Sequence, residues 1–201
     1  MDLTKTMAAL KNNRYDVTLC QTTAEAASYL AQHITDKTIG FGDSATLRSM
    51  NLEETLAVHN IVLNPARAKT QEDFLQIARK ALLANLFITS VNALTENGEI
   101  INMDGAGNRI AGSLFGHEKT YFVLGINKIV PDIQAGIDRI HTIAAPKNAQ
   151  RKGKKTPCAL KGDKCYNCSS PERICNALTI HLKKMSYQPM EVIIIKESLG
   201  F

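Results

Sequence analysis

Two uninterrupted apolar runs constrain this chain more than any other feature: Tyr121-Phe122-Val123-Leu124-Gly125-Ile126 and Val192-Ile193-Ile194-Ile195. A strand with one wet face alternates apolar and polar side chains. A run with no polar member suits a strand covered on both faces, as in parallel sheets. Parallel neighbours need crossovers, and helical patterns lie between the strand candidates. Residues 2–15 place Leu3, Met7 and Leu10 at helical spacing, ahead of a strand over 16–20. Thr22 and Glu25 form a capping box for a helix that buries Ala26, Leu30 and Ile34. A strand over 38–41 follows, then a short helix expected to be capped by Asn51 with Glu54, then a strand over 60–63. Thr70 opens a helix with Phe74, Ile77, Ala78, Ala81 and Leu82 inward. Pro131 starts another, striped by Ile133, Ile137, Ile140 and Ala144, which Pro146 is expected to stop. The pattern is that of an α/β fold, a mainly parallel sheet flanked by helices. One domain over 1–201 suffices, and 44% apolar residues can fill its core.

Charge is uneven. Between Lys147 and Lys184 ten Lys/Arg face two acids, a balance of +8, while the rest of the chain carries −3. This basic segment, 147–184, holds four of the five cysteines and a single aromatic, Tyr166. Single-stranded bases need stacking partners, so no nucleic-acid partner is expected. No stretch approaches the ~18 apolar residues of a membrane span, and residues 1–16 lack the apolar core of a secretory leader, so none is expected. No membrane partner is expected, and the cytoplasm is the expected location.

The span Ile88–Arg109 (ITSVNALTENGEIINMDGAGNR) predicts an apolar strand, a tight turn at Glu96-Asn97-Gly98, a second strand over 99–103, and a glycine loop, Asp104-Gly105-Ala106-Gly107-Asn108-Arg109. Asn-Gly supplies the positive dihedrals of a two-residue hairpin turn. A hairpin alone does not call for Asn92, Thr95, Glu96, Asn102, Asp104, Asn108 and Arg109 in so short a span. They are expected to form a site on a rigid strand pair, with Glu96, Asp104 and Arg109 as the catalytic candidates; a solvated hairpin with a polar tip is the alternative. A second loop, Gly42-Asp43-Ser44-Ala45-Thr46, joins a strand to a helix. It suits either an anion at backbone N–H groups or an ordinary turn with Ser44 as N-cap.

Cys158, Cys165, Cys168 and Cys175 are spaced C-x6-C-x2-C-x6-C. Four thiols so close in a chain of the cytosol suit metal ligation better than disulfides. An iron–sulfur cluster, a structural Zn²⁺ and metal-free thiols all stay open, the cluster favoured because structural zinc sites usually pair two short knuckles. Lys152, Lys154, Lys155, Lys161, Lys164 and Arg173 would stabilise the negative charge of either centre. Cys20 stands apart as a small buried hydrophobe, and the five histidines form no short-range pair.

Several stretches resemble the lactate utilization (LUD domain) family: Thr89–Gly98, Asn102–Arg109, and Gly125–Val130 with Ala145–Asn148. The segment Cys165–Asn176 resembles its cysteine-bearing branch. The resemblance implies a fold like glucosamine-6-phosphate deaminase, ribose-5-phosphate isomerase and the CoA transferases, with the cysteine-rich insertion before the last strand. It also implies a part in an iron–sulfur system that oxidises L-lactate to pyruvate. Leu94–Gly98 is similar to the motif whose Glu is the nucleophile of one class of CoA transferases, with Thr95 in place of Ser. In that wider fold Gly42, Asp43, Ser44 and Thr46 would sit where phosphate or CoA binds.

Three readings result. In the first, the thiols hold a four-iron cluster and the α/β body binds a small anionic hydroxy- or oxo-acid. Arg109 pairs its carboxylate, Lys128 adds charge, and Asn92 and Asn108 add amides. In the second, Glu96 does acid–base or covalent work on a phosphorylated or thioester substrate, and the metal only staples the tail. In the third, the chain is a scaffold that needs iron–sulfur or oxidoreductase partner subunits. A homo-oligomer is compatible with all three.

Overall fold

The computed structural model describes residues 2–201. Its elements are α1 (Leu3–Asn12), β1 (Asp16–Cys20), α2 (Thr23–His33), β2 (Thr38–Phe41), α3 (Ala45–Ser49), α4 (Leu52–Ala57), β3 (Ile61–Leu63) and α5 (Gln71–Ala81). There follow β4 (Leu86–Thr89), β5 (Ala93–Thr95), β6 (Ile100–Asp104), α6 (Asn108–Leu114), β7 (Lys119–Gly125) and β8 (Ile129–Val130). The chain closes with α7 (Ile133–Arg139), α8 (Ala145–Arg151), α9 (Pro157–Lys161), β9 (Ala177–His181) and β10 (Met190–Ile195).

Six strands form an all-parallel sheet in the order β1-β10-β7-β4-β2-β3. The two apolar runs lie side by side at its centre as β7 and β10, and their alternate residues serve opposite faces. Tyr121, Val123, Ile193 and Ile195 pack with Leu30, Leu47 and Leu56 of α2, α3 and α4. Phe122, Leu124, Val192 and Ile194 pack with Leu10 of α1 and with Leu94 and Ile100 of a second sheet. Each such fully buried side chain contributes about 2 kcal/mol, which explains why no polar residue interrupts either run. The second sheet, β8-β5-β6-β9, is mixed. Its outer face covers Ala93 and Ile101 with Ile140.

The path of the chain matters more than the layers. From β1 at one edge it crosses to β2, steps outward to β3, then returns inward through β4, β7 and β10. The strand order therefore reverses between β2 and β4. Neighbouring crossovers diverge there and leave a crevice beyond the carboxyl ends of the strands, where open α/β sheets take their ligands.

Four expectations need correction. The apolar strand ahead of the hairpin is two strands, β4 in the large sheet and β5 in the small one. The Asn92 N–H, bonded to Ile101 O and Asn102 Oδ1, steers the chain between them. The hairpin turn has three residues, with Gly98 alone at positive φ, and is closed by Thr95 N–H to Glu99 O. Pro146 does not end its helix. A π-helical turn over Ile140–Ala144 restarts the ladder, so the proline falls in the first turn of α8, where no N–H is needed. Asn51 is left-handed and makes no capping bond. The basic segment also contains a strand with no forecast, β9, antiparallel to β6.

Candidate functional site

Three loops meet at the reversal: Gly42–Ser44 after β2, Ser90–Asn92 after β4 and Ile126–Lys128 after β7. The Gly42 N–H donates to Ile88 O at 2.8 Å and holds the first two together. A Cβ on Gly42 would stand 2.4 Å from Thr89 Oγ1 and 3.2 Å from Arg109 Cγ, so the approach itself demands glycine.

Lys128 lies on the floor of this crevice, only 3% exposed. Its Nζ donates to Thr46 Oγ1 at 2.8 Å, Ser90 Oγ at 3.0 Å and Val91 O at 3.1 Å. Burial, with help from the Arg139 and Arg109 guanidiniums, pulls its pKa down to about 7. Arg139 is buried too, donating from Nη1 to Asn92 O at 2.7 Å and from Nε to Asn127 O at 3.3 Å, and burial depresses its pKa. Among the described residues neither cation has a carboxylate within ion-pair distance. Arg109, at the start of α6, does: its Nε lies 3.4 Å from Asp104 Oδ1, and its Nη2 donates to Met103 O at 2.6 Å.

Asp43 is the hub of the rim. It receives Arg48 Nε at 3.0 Å, Arg151 Nη2 at 3.0 Å and Lys152 Nζ at 2.9 Å. Burial pushes its pKa up, but Lys152 and Arg151 outweigh it and hold the carboxyl well below the usual range. Asp43 is thus committed to cations and organises the rim. Ser44 caps α3, accepting from Thr46 N–H at 3.1 Å. Asn92 Oδ1 accepts from Met103 N–H at 2.8 Å. A small cleft of about 30 Å³, lined by Ser44, Ser90, Asn92, Arg109, Lys128 and Asn148, is the mouth above Lys128. It shares Asp43, Arg109 and Asn148 with a larger cleft of about 460 Å³ that also includes Asp104, Asn108 and Lys152.

Nine of the ten candidates in the α/β body therefore surround one crevice: Gly42, Asp43, Ser44, Thr46, Asn92, Asp104, Asn108, Arg109 and Lys128. Glu96 does not. It sits at the turn end of the β5–β6 hairpin, whereas Asp104 and Arg109 belong to the other end, beyond five residues of β6 or about 17 Å of extended chain. There its carboxylate accepts from Asp2 N–H at 3.0 Å and lies 3.5 Å from Lys5 Nζ. The Asp2 N–H is the main cause of its lowered pKa. This carboxylate clasps the start of α1. Sequence reasoning missed Arg139, Ser90, Asn148 and Arg151, and it expected Lys152 to balance the cysteine centre, whereas that lysine pairs with Asp43. Arg139 is three residues past Gly136, on a helix flank that the apolar stripe does not mark.

The cysteines gather on a lobe between α8 and β9. Cys158 is buried in α9 beside Ala149 and Ala159, and its Sγ lies 3.3 Å from Thr156 Oγ1. Cys165, Cys168 and Cys175 are half-buried. Burial raises the Cys175 thiol pKa, Arg173 lowers it, and Cys165, Cys168 and Cys158 each add to the rise, so Cys175 feels the other three. Arg173 ties the loop by donating to Cys168 O at 2.6 Å and Cys175 O at 3.0 Å. The donor number and type suit a thiolate centre. Among the described residues, however, no three His, Cys, Asp or Glu side chains stand as a group able to hold a metal ion. The lobe is sewn to the crevice: Asn176 donates from N to Asp104 O at 2.9 Å and from Nδ2 to Gly105 O at 3.0 Å. A Cβ on Gly105 would meet Ile174 Cα at 2.8 Å.

An all-parallel open sheet with a crevice at its switch point, lined by Lys128, Arg109 and Asp43, defines the class: an open α/β protein. A family model described as the LUD domain matches residues 3–195, and the chain belongs to the LUD domain family of lactate-utilization-type proteins. Among solved structures it is similar to a DUF162 family protein from Deinococcus radiodurans, at 16% identity and TM-score 0.56, over 96% of this chain and 95% of that one. A more distant likeness is to eIF2B beta from Chaetomium thermophilum, at 15% identity and TM-score 0.33, over 65% of this chain and 43% of that one. No curated protein matches. No helix among the described residues is long and apolar enough to cross a membrane.

Proposed function

We propose that the chain binds a small organic acid in the switch-point crevice as a component of L-lactate oxidation to pyruvate. The observation that carries this reading is the pair of buried cations, Lys128 and Arg139, whose hydrogen-bond partners are all neutral. A buried cation without a counter-charge costs several kcal/mol, a cost that a bound carboxylate offsets. Arg109 and Asn148, on the wall of the mouth, would orient the acid, and Asp43 and Asp104 would hold the wall arginines in place. Cys158, Cys165, Cys168 and Cys175 would hold an iron–sulfur cluster, with Arg173 closing the loop and the surrounding lysines balancing its charge. Such a cluster would pass on the electrons of the oxidation, and redox partner subunits would receive them. The Glu96 reading has no support, because its carboxylate is engaged at the far end of the hairpin.

Calorimetric titration with L-lactate, pyruvate, neutral lactamide and inorganic phosphate tests the crevice. The two acids are expected to bind and lactamide is not. Equal binding of lactamide, or of no acid at all, would overturn the reading. Protein prepared without oxygen is expected to carry about four irons per chain and broad visible absorption. Colourless protein with stoichiometric zinc would overturn the cluster and leave the crevice intact.

A further inference from the structure

Every neighbour of Lys128 Nζ is neutral, and together they suit either an ammonium or a neutral amine. Thr46 Oγ1 gives its own hydrogen to Leu199 O at 3.3 Å, so it can only accept from Nζ, and Val91 O is likewise an acceptor. These two accommodate the two hydrogens of a neutral amine. The third partner, Ser90, is a hydroxyl that either accepts a third hydrogen or donates into the nitrogen lone pair. Two guanidiniums stand close enough to oppose a charge on Nζ, and burial acts in the same sense. A buried lysine with no counter-charge, on the floor of a cleft, gives up its proton readily and is then a nucleophile, not only a counter-ion.

We propose that Lys128 forms an imine with a 2-oxo acid in the crevice. The proposal rests on the anion reading above, because Arg109, on the wall of the mouth, would have to hold the acid's carboxylate while Nζ meets its keto carbon. In the first step the nitrogen lone pair adds to the carbonyl carbon, and the carbonyl oxygen takes up a proton relayed from nitrogen by Ser90. In the second, the remaining nitrogen proton and the hydroxyl leave together as water and the C=N bond closes. No oxidant or reductant enters, and hydrolysis reverses the sequence. A 2-hydroxy acid has no electrophilic carbon and cannot follow this path, so the residue that holds substrate by charge distinguishes product by bond formation.

Reductive trapping tests it. The protein is incubated with pyruvate and borohydride, then analysed by intact mass and peptide mapping, with calorimetry of pyruvate run in parallel. One adduct is expected, of mass equal to the acid less one oxygen, at Lys128 and at least about tenfold above any other lysine. Lys119, held as an ammonium by Glu191, should stay unmodified. Lys128→Arg should abolish the adduct, and Ser90→Ala should slow its formation by roughly a hundredfold, the usual scale for a lost proton relay. Mapping on the unaltered protein keeps the test valid if either variant folds poorly. Pyruvate that binds without an adduct, or adducts spread over surface lysines, would overturn the imine and leave the anion site standing. Absence of pyruvate binding would overturn both.

Discussion

Strand β7 begins at one lysine and is followed, three residues past its end, by another, and the two are treated in opposite ways. Lys119, its first residue, lies 2.7 Å from the buried Glu191 carboxylate, which also accepts from Thr18 Oγ1 and from Tyr29 Oη. Burial works against both charges, yet their contact more than offsets it: Glu191 falls below its ordinary pKa and Lys119 rises above its own. Lys128, just beyond the other end, has only neutral partners, and its pKa falls. One end of the sheet closes its electrostatics internally, whereas the other leaves a buried amine with no counter-charge. A protein does not need the second arrangement to fold, and that contrast is what supports the proposed acid site at the carboxyl ends.

The largest expected effect lies at the closed end. Glu191→Gln should lower unfolding stability by about 3 kcal/mol in urea, because Lys119 would lose its buried partner. Lys128→Met should cost less than about 1 kcal/mol, since the buried charge it removes had no counter-ion. Comparable losses would erase the distinction. Gly42→Ala comes next. Its Cβ, 2.4 Å from Thr89 Oγ1, should cost about 2 kcal/mol and displace Arg109, visible as weaker acid binding. Lys128→Met should weaken that binding by at least about tenfold, the scale of one lost charge-assisted hydrogen bond.

Protons sharpen the contrast. With the folded pKa of Lys128 near 7 and the unfolded value near 10, the unfolded chain binds more protons between those limits. That residue's contribution to stability therefore rises with pH across the window. Lys119 behaves oppositely. Its contribution is present below its unfolded pKa and is lost as pH climbs through its raised folded value. Glu191 contributes above its unfolded pKa and loses that contribution as pH falls through its lowered folded value. Urea titrations of wild type, Lys128→Met and Glu191→Gln across pH would separate these slopes. The smallest effect belongs to Glu96→Gln, which should change acid affinity by less than about twofold, because its carboxylate serves α1.

Much of this was legible in the chain. The runs at 121–126 and 192–195 revealed the buried parallel centre, since continuous apolarity has few other uses, and the glycine loops marked where backbone comes close. What escaped depended on long-range geometry. That Ser90–Asn92 crosses between two sheets depends on hydrogen bonds to β6, and nothing local announces it. A π turn preserved the helix through Pro146 and carried Arg151 and Lys152 to Asp43. Glu96 was misplaced because nearness in sequence to Arg109 says nothing about which end of a hairpin each occupies. Arg139 was missed because a buried arginine without an acid looks, in sequence, like any solvated one.

Calorimetric titration of wild type and Lys128→Met with one small organic acid, near pH 8.5 in two buffers of different ionisation enthalpy, addresses the uncompensated charge most directly. Wild type should bind the acid and take up close to one proton as Nζ becomes ammonium, and Lys128→Met should lose both the affinity and the uptake. Equal affinity in the two proteins, or binding without proton uptake, would mean that the crevice does not work through its buried lysine.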